Sequence, residues 1–310
     1  MQEVFIGNTG EMYKITDREN GQEYYFKPAV SKAGNPRPYR AYIQEAAYQI
    51  QQIINPEVAV KCNTIEVDGV FGAIQEKISV NQERTKSFID YFDSDIGKLT
   101  ETTISQIIDE YLVDYCLCNY DAHASNFIID QDGRLRGIDK EQAFRYIKED
   151  INKDMMFNTN YNEDYGEMPT IYNILFEQMK VGKVSTKYLN ALRYRASRLA
   201  QVPDEKYIEI FKKYAYGKAT TPVEAEVLLN SILDRKRNIL QNIEQLYNEI
   251  RRSYSENYKR KNSRFSILSS GIEATKKILI SEIDKQSFLI EEIIKNASDI
   301  DILEKVKLEK

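Results

Sequence analysis

Between Tyr120 and Phe144 the sequence reads Y-D-A-H-A-S-N-F-I-I-D-Q-D-G-R-L-R-G-I-D-K-E-Q-A-F, and it holds the side chains best suited to do chemistry. Asp121, His123, Asn126 and Asp139 all fall there, and His123 is the only histidine in 310 residues. Asp132-Gly133 favours a two-residue type I′ turn between the apolar runs Phe127–Ile129 and Leu135–Ile138. With that turn Gln131 faces Arg134, Ile129 faces Arg136 and Phe127 faces Ile138, and the next pair out is Asn126 opposite Asp139. An amide oxygen and a carboxylate would then meet at the open end of the hairpin, with Asp121 and His123 in the loop just upstream. Hard oxygen donors of this kind suit Mg²⁺, which is held by one or two carboxylates together with substrate phosphates. The chemistry such a cluster would serve is phosphoryl transfer, with a further group to orient or deprotonate the attacking hydroxyl. Without that chemistry, the same residues make an ordinary polar β-hairpin on an α+β domain.

The spacing Asp121-x-x-x-x-Asn126, then a hairpin, then Asp139 resembles the catalytic and metal-binding segments of kinases. The usual H-R-D and D-F-G triplets are replaced by Asp121-Ala122-His123 and Ile138-Asp139-Lys140. D-x-H-x-x-N followed by I-D is similar to the phosphatidylinositol 3/4-kinase branch, type II phosphatidylinositol 4-kinases included, and to the HipA-like kinases. Phe26-Lys27-Pro28 and Glu45-Ala46-Ala47-Tyr48 resemble the corresponding upstream segments of type II phosphatidylinositol 4-kinases. The likeness covers residues 4–145 through short motifs and 145–250 only through helical character. It implies a bilobal α+β kinase fold that uses ATP and Mg²⁺: a β-rich N-lobe with one helix over 1–78, a mostly helical C-lobe over 79–258 and a helical extension over 259–310.

Carried over position by position, the resemblance implies that Lys27 holds the phosphates with Glu45 orienting it. Asn126 and Asp139 would bind Mg²⁺, and Asp121 and His123 would serve the nucleophile. Gly7-Asn8-Thr9-Gly10 would lay backbone N–H groups over the phosphates, and Gln75-Glu76-Lys77 would be the hinge that meets the adenine. Lys140 departs from the pattern, because it places a cation after the metal-binding aspartate where an apolar residue is common. Three functions compete on these residues: a HipA-like serine/threonine protein kinase, a phosphoinositide or small-molecule kinase on the same scaffold, and a non-enzymatic pseudokinase that binds partners. Pseudokinases commonly lose one member of the set Lys27, Glu45, Asp121, Asn126 and Asp139, and all five are present.

The elements that must position these groups are legible in outline. Strands are expected over residues 2–28, with a tight loop at 7–10, a hairpin at Asn20-Gly21 and a ladder stopped by Pro28. A helix follows over about 39–53, and a further strand-turn-strand pattern runs from Val58 to Ile78 around Asp68-Gly69. Ile104, Ile107, Ile108, Tyr111, Leu112 and Tyr115 mark one face of a helix that Thr100 or Thr102 would cap, and that helix delivers the chain to Asp121. Asn152–Glu167 is polar and lies where an activation or substrate loop would be, or is a plain connector. From Pro169 to Tyr258 helices are expected, broken near Gly182, Pro203 and Gly217, with Thr221-Pro222 a helix start.

Composition narrows the class further. Hydrophobic residues make up 42% and charged residues 29%, as in soluble globular proteins, and the net charge of −5 argues against a dedicated nucleic-acid binder. Three cysteines, with no C-x-x-C pair, fit a reducing compartment. No secretory signal is expected from the first residues and no apolar run is long enough to span a membrane, so a cytoplasmic location is expected. Arg251, Arg252, Lys259, Arg260, Lys261 and Arg264 form a basic cluster that could meet an anionic partner, followed by an amphipathic segment from Ile272 to Ile294.

Overall fold

Five strands form one antiparallel sheet at the N-terminus of the computed structural model, which describes residues 3–7, 10–17, 19–31, 33–145, 147, 170–261, 271–279 and 281–282. These are β1 (Glu3–Gly7), β2 (Gly10–Thr16), β3 (Glu23–Pro28), β4 (Cys62–Val67) and β5 (Val70–Glu76), in the order β1-β2-β3-β5-β4. The position of β3 at the centre of this sheet matters, because it carries Lys27. Pro28 ends it as expected, paired with Gly72. A Cβ at Gly72 would sit 2.5 Å from the Lys27 carbonyl oxygen and 2.7 Å from the Phe26 ring, so only glycine allows β5 this close to the lysine strand.

Helix α1 (Tyr39–Ile54) packs on β4 and β5 with one face and on α6 with another. Its buried residues, Ala41, Ile43, Ala46, Ala47, Ile50 and Ile54, recur at helical spacing. The chain after β5 is mostly helical. Helix α2 (Gln82–Ser94) is capped by Asn81, and α3 (Glu101–Leu117) by the Thr100 hydroxyl, which accepts from the Thr103 N–H at 3.1 Å. The sequence pattern shows one apolar face on α3, whereas the structure buries nearly every residue from Thr103 to Leu117. The charged side chains of Asp109, Glu110 and Asp114 are therefore inside the protein and need partners. Asp109 finds Arg195 and, at 2.7 Å, the Asn55 amide.

Two short strands follow α3, β6 (Phe127–Ile129) and β7 (Leu135–Gly137), then α4 (Ile171–Lys180), α5 (Tyr188–Ala200), α6 (Asp204–Lys218) and α7 (Pro222–Arg237). Thr221 caps α7 with Pro222 at its start, as expected. The break expected near Gly217 is present between α6 and α7, just past the glycine. Gly217 itself lies in the last turn of α6, where a Cβ would come 3.2 Å from the Tyr42 ring, so it serves the close approach of α6 to α1. A helix α8 starting at 239 adds Ile239, Ile243, Leu246 and Ile250 to the core.

The chain divides into two compact units, Met1–Tyr254 and Ser255–Lys310. The second is described at 255–261, 271–279 and 281–282, all helical. Asn152–Glu167, Arg264 and the segment beyond 282 lie outside the described residues. Among the described residues no helix is long and apolar enough to cross a membrane.

Candidate active site

The loop that carries Asp121 is built at the end of α3. Cys118 closes the helix in the left-handed conformation, φ 46°, with its N–H bonded back to Asp114 and Tyr115. The Asn119 N–H and side-chain amide both return to Asp114, at 2.9 Å each, and the Asn119 side-chain oxygen accepts from the Asp121 N–H at 3.3 Å. Asn126 then donates its side-chain N–H to the Asp121 carbonyl at 2.6 Å, and the Ile171 N–H bonds Ala122 at 2.9 Å. The Asp121 backbone is held from both sides. His123 Nε2 lies 3.4 Å from Asp121 Oδ1, and His123 Nδ1 is 2.7 Å from the Ser125 hydroxyl. Burial pushes the Asp121 carboxyl above its ordinary value; His123 opposes that shift and the nearby negative charge of Asp139 adds to it.

The hairpin exists, but its register differs from the expected one by one residue. Phe127 pairs with Gly137, Ile128 with Arg136 and Ile129 with Leu135. The loop has three residues, Gln131 to Gly133, closed by Asp130 N–H to Arg134 O at 2.9 Å, with Gly133 at φ 81°. The reason lies in Asp130. Its buried carboxylate accepts from the Arg134 N–H at 2.8 Å and holds Arg136 at 2.7 Å, so it caps the longer turn. This register also turns Phe127, Ile129 and Leu135 into the core. Asn126 consequently stands opposite Ile138, whose N–H it accepts at 2.9 Å, and Asp139 is one residue beyond.

The next three residues diverge. Asp139 adopts φ 54°, a left-handed turn that short polar side chains tolerate. Its carboxylate is 39% exposed and lies 3.4 Å from Lys27 Nζ. Lys140 does not lie beside that carboxylate as a competing cation. It descends into the core, 2.9 Å from Asp114 and 3.1 Å from Glu110, over the Phe127 ring at 5.3 Å. Burial alone would lower the Lys140 pKa, but Asp114 and Glu110 outweigh it and hold the ammonium charged. Asp114 also accepts from the Tyr172 hydroxyl at 2.5 Å, and Glu110 from Gln51 at 3.0 Å. Burial pushes the Glu110 carboxyl up. A Cβ at Gly137 would come 2.0 Å from Glu110 Oε2, which only glycine avoids.

Glu141 turns the other way, towards the sheet. Its carboxylate is 4% exposed and lies 2.6 Å from Lys27 Nζ, 3.2 Å from Arg40 Nη2 and 3.0 Å from the Gln44 amide. The expected pairing of Lys27 with Glu45 is not what the structure shows. Glu45 bonds Lys213 at 3.1 Å and the Thr64 hydroxyl at 3.4 Å, because residues 44 and 45 are one step apart on α1 and face different neighbours. Glu141, Arg40 and Gln44 were missed by the sequence reading. The available signal was Arg40 and Gln44 four apart on one helix face, next to a Lys27 that needs an acid.

The remaining expected contacts are of two kinds. Gly7 and Gly10 face each other at the β1–β2 turn, while Asn8 and Thr9 lie outside the described residues. Gln75 sits in the ladder between Tyr25 and Cys62, and the N–H groups of Glu76 and Lys77 are bonded to Lys61 and Glu23 at 3.0 Å each. An adenine reaching those two N–H groups would have to displace sheet bonds. Burial pushes the Cys62 and Cys116 thiols up to about 12, which removes them as nucleophiles at neutral pH. Among the described residues no three acidic, histidine or cysteine side chains are grouped to hold a metal by themselves. Mg²⁺ needs only one or two oxygens from protein when phosphates complete its shell, and the groups that would supply them are the Asp139 carboxylate and the Asn126 side-chain oxygen, the Asn126 amide N–H being already bonded to the Asp121 carbonyl.

No family model and no curated protein matches the chain. Among solved structures it is similar to the crystal structure of a Helicobacter pylori proinflammatory kinase, CtkA, with 13% sequence identity and a TM-score of 0.51 over 80% of this chain and 97% of that one. An identity this low carries the fold alone. With its small antiparallel sheet, single packed helix and helical second lobe, the chain has a bilobal protein-kinase-like fold.

Proposed function

We propose that this protein is an ATP- and Mg²⁺-dependent phosphotransferase whose acceptor is a serine or threonine hydroxyl of another protein. The observation that supports this most is the meeting of Lys27, from the sheet, with Asp139, from the helical lobe, at 3.4 Å, with the Asp121 loop alongside. In this reading Lys27 holds nucleotide phosphates and Asp139, with the Asn126 amide oxygen, would hold Mg²⁺. That ion, when bound, supplies charge neutralisation on the phosphates. The acceptor oxygen attacks the γ-phosphorus, the bond to the β–γ bridging oxygen breaks, and ADP leaves. Asp121 orients the acceptor hydroxyl and takes its proton, and the raised pKa of the carboxyl suits that task. His123, 3.4 Å from Asp121, contacts phosphate and steadies the carboxylate. The free cysteines fit a reducing compartment, and a cytoplasmic site of action is part of this proposal.

Incubation of the full chain with γ-labelled ATP and Mg²⁺, alongside protein and phosphoinositide acceptors, tests the reading. Label on serine or threonine of a protein acceptor is the expected result. Label on lipid alone moves the acceptor to the phosphoinositide class. Absence of both nucleotide binding and label transfer, with the Asp121→Asn variant indistinguishable from the unaltered chain, rejects a phosphotransferase.

A further inference from the structure

Lys27 has two carboxylates within reach, and they cannot serve the same purpose. Asp139 is partly exposed and lies 3.4 Å away. Glu141 is closer, at 2.6 Å, and almost wholly enclosed, at 4% exposure. Glu141 is also held in place from α1, by Arg40 at 3.2 Å and Gln44 at 3.0 Å, and Arg40 is in turn fixed by a bond to the Val30 carbonyl at 3.0 Å. An ammonium beside a buried, triply contacted carboxylate is confined in position, whereas one beside an exposed carboxylate alone is not.

We infer that Glu141 is the positioning residue for Lys27, the part the sequence assigns to Glu45, and that it keeps the ammonium from collapsing onto Asp139. The inference rests on the phosphotransferase reading and deepens it. Lys27 must point at phosphate oxygens while Asp139 stays available as an oxygen donor to the metal that arrives with the nucleotide. With Glu141 in place, the lysine charge is shared with a carboxylate that is almost wholly enclosed. Without it, the nearest carboxylate to the ammonium is Asp139, so phosphate recognition and metal recognition would obstruct each other. Arg40 and Gln44 transmit the position of α1 to Lys27 through Glu141. In this protein the link between helix and lysine passes through the segment after Asp139 rather than directly.

Isothermal calorimetry on the full chain with adenosine, ADP and ATP, at several Mg²⁺ concentrations, tests this. Glu141→Gln should weaken ADP and ATP binding by about 10–100-fold, the range for losing a hydrogen bond to a charged group. It should leave adenosine affinity unchanged and raise the Mg²⁺ concentration needed for half-maximal enhancement. Glu141→Asp should recover part of the loss. In a double-mutant cycle the effect should vanish in a Lys27→Met background, because there is no ammonium left to position. A loss that falls equally on adenosine, or that persists in the Lys27→Met background, makes Glu141 a structural residue and overturns the inference. So does a larger phosphate-specific loss in Glu45→Gln than in Glu141→Gln. If the unaltered chain binds no nucleotide at all, the phosphotransferase reading fails, and this inference with it. If the unaltered chain binds ATP and Glu141→Gln binds it equally well, the inference alone fails.

Discussion

Replacing Lys140 by methionine removes a charge but little volume, so it isolates what the ammonium does under the active site. The Lys140 side chain is 5% exposed, and its partners Glu110 and Asp114 are 1% and 0% exposed, at 3.1 and 2.9 Å. Taking away the cation leaves two carboxylates inside the protein, with Gln51, Asn119 and Tyr172 as their side-chain partners among the described residues. Breaking a buried ion pair from one side costs about 3–5 kcal/mol. At ~2–4 °C per kcal/mol for a domain of this size, the melting temperature should fall by roughly 6–20 °C. The loss should depend on pH with a definite sign. Burial pushes the Glu110 carboxyl above its ordinary value even with Lys140 beside it, and removing the cation takes away what opposes that shift, so the folded state binds an extra proton. That contribution favours folding below the unfolded pKa and is lost as pH rises through the folded pKa. The Lys140→Met deficit in thermal melts should therefore be smaller near pH 5 than near pH 8, and Glu110→Gln added to it should restore part of the stability. A deficit under about 1 kcal/mol, or one equal at both pH values, would refute the view that Lys140 neutralises buried carboxylates, since that is the size of an exposed pair.

Other outcomes follow from the site. Asp121→Asn should retain nucleotide binding and lose turnover by about 10²–10⁴-fold in steady-state assays, with His123→Gln losing less; the reverse order makes His123 the base. Because burial raises the Asp121 pKa, the rising limb of the kcat/KM–pH profile should sit above the ordinary aspartate value and disappear in Asp121→Asn. The same shift lends stability that is present below the unfolded pKa and lost as pH rises through the folded one, so melts of Asp121→Asn should lose less stability than the unaltered chain as pH rises through that window. Asp139→Asn should abolish turnover and the enhancement of nucleotide binding by Mg²⁺, measured by calorimetry with and without the metal. Gly137→Ala, which drives a methyl against Glu110, should lower the melting temperature by several degrees or leave the protein insoluble.

What the sequence by itself determined is local. Asp-Gly between two apolar runs specifies a hairpin, Pro28 ends the lysine strand, and Thr221-Pro222 starts a helix where the structure starts it, while for α3 the sequence offers Thr100 or Thr102 and the structure uses Thr100. These features depend on backbone preferences and caps within a few residues. The group that could do chemistry, Lys27, Asp121, His123, Asn126 and Asp139, was also legible, because its members are short-range motifs in a readable order. The tertiary structure decided the rest. The hairpin register turned on the Asp130 carboxylate choosing the Arg134 N–H and Arg136, and a one-residue shift changes which residue faces which. The fate of Asp139-Lys140-Glu141, three adjacent charges sent to three environments, depended on a left-handed turn and on which lobe held a vacant opposite charge. Lys27 took Glu141 over Glu45 because the turn after Asp139 brings the Glu141 carboxylate to the lysine, while Glu45 faces Thr64 and Lys213. No spacing along the chain encodes that when the partners come from separate lobes.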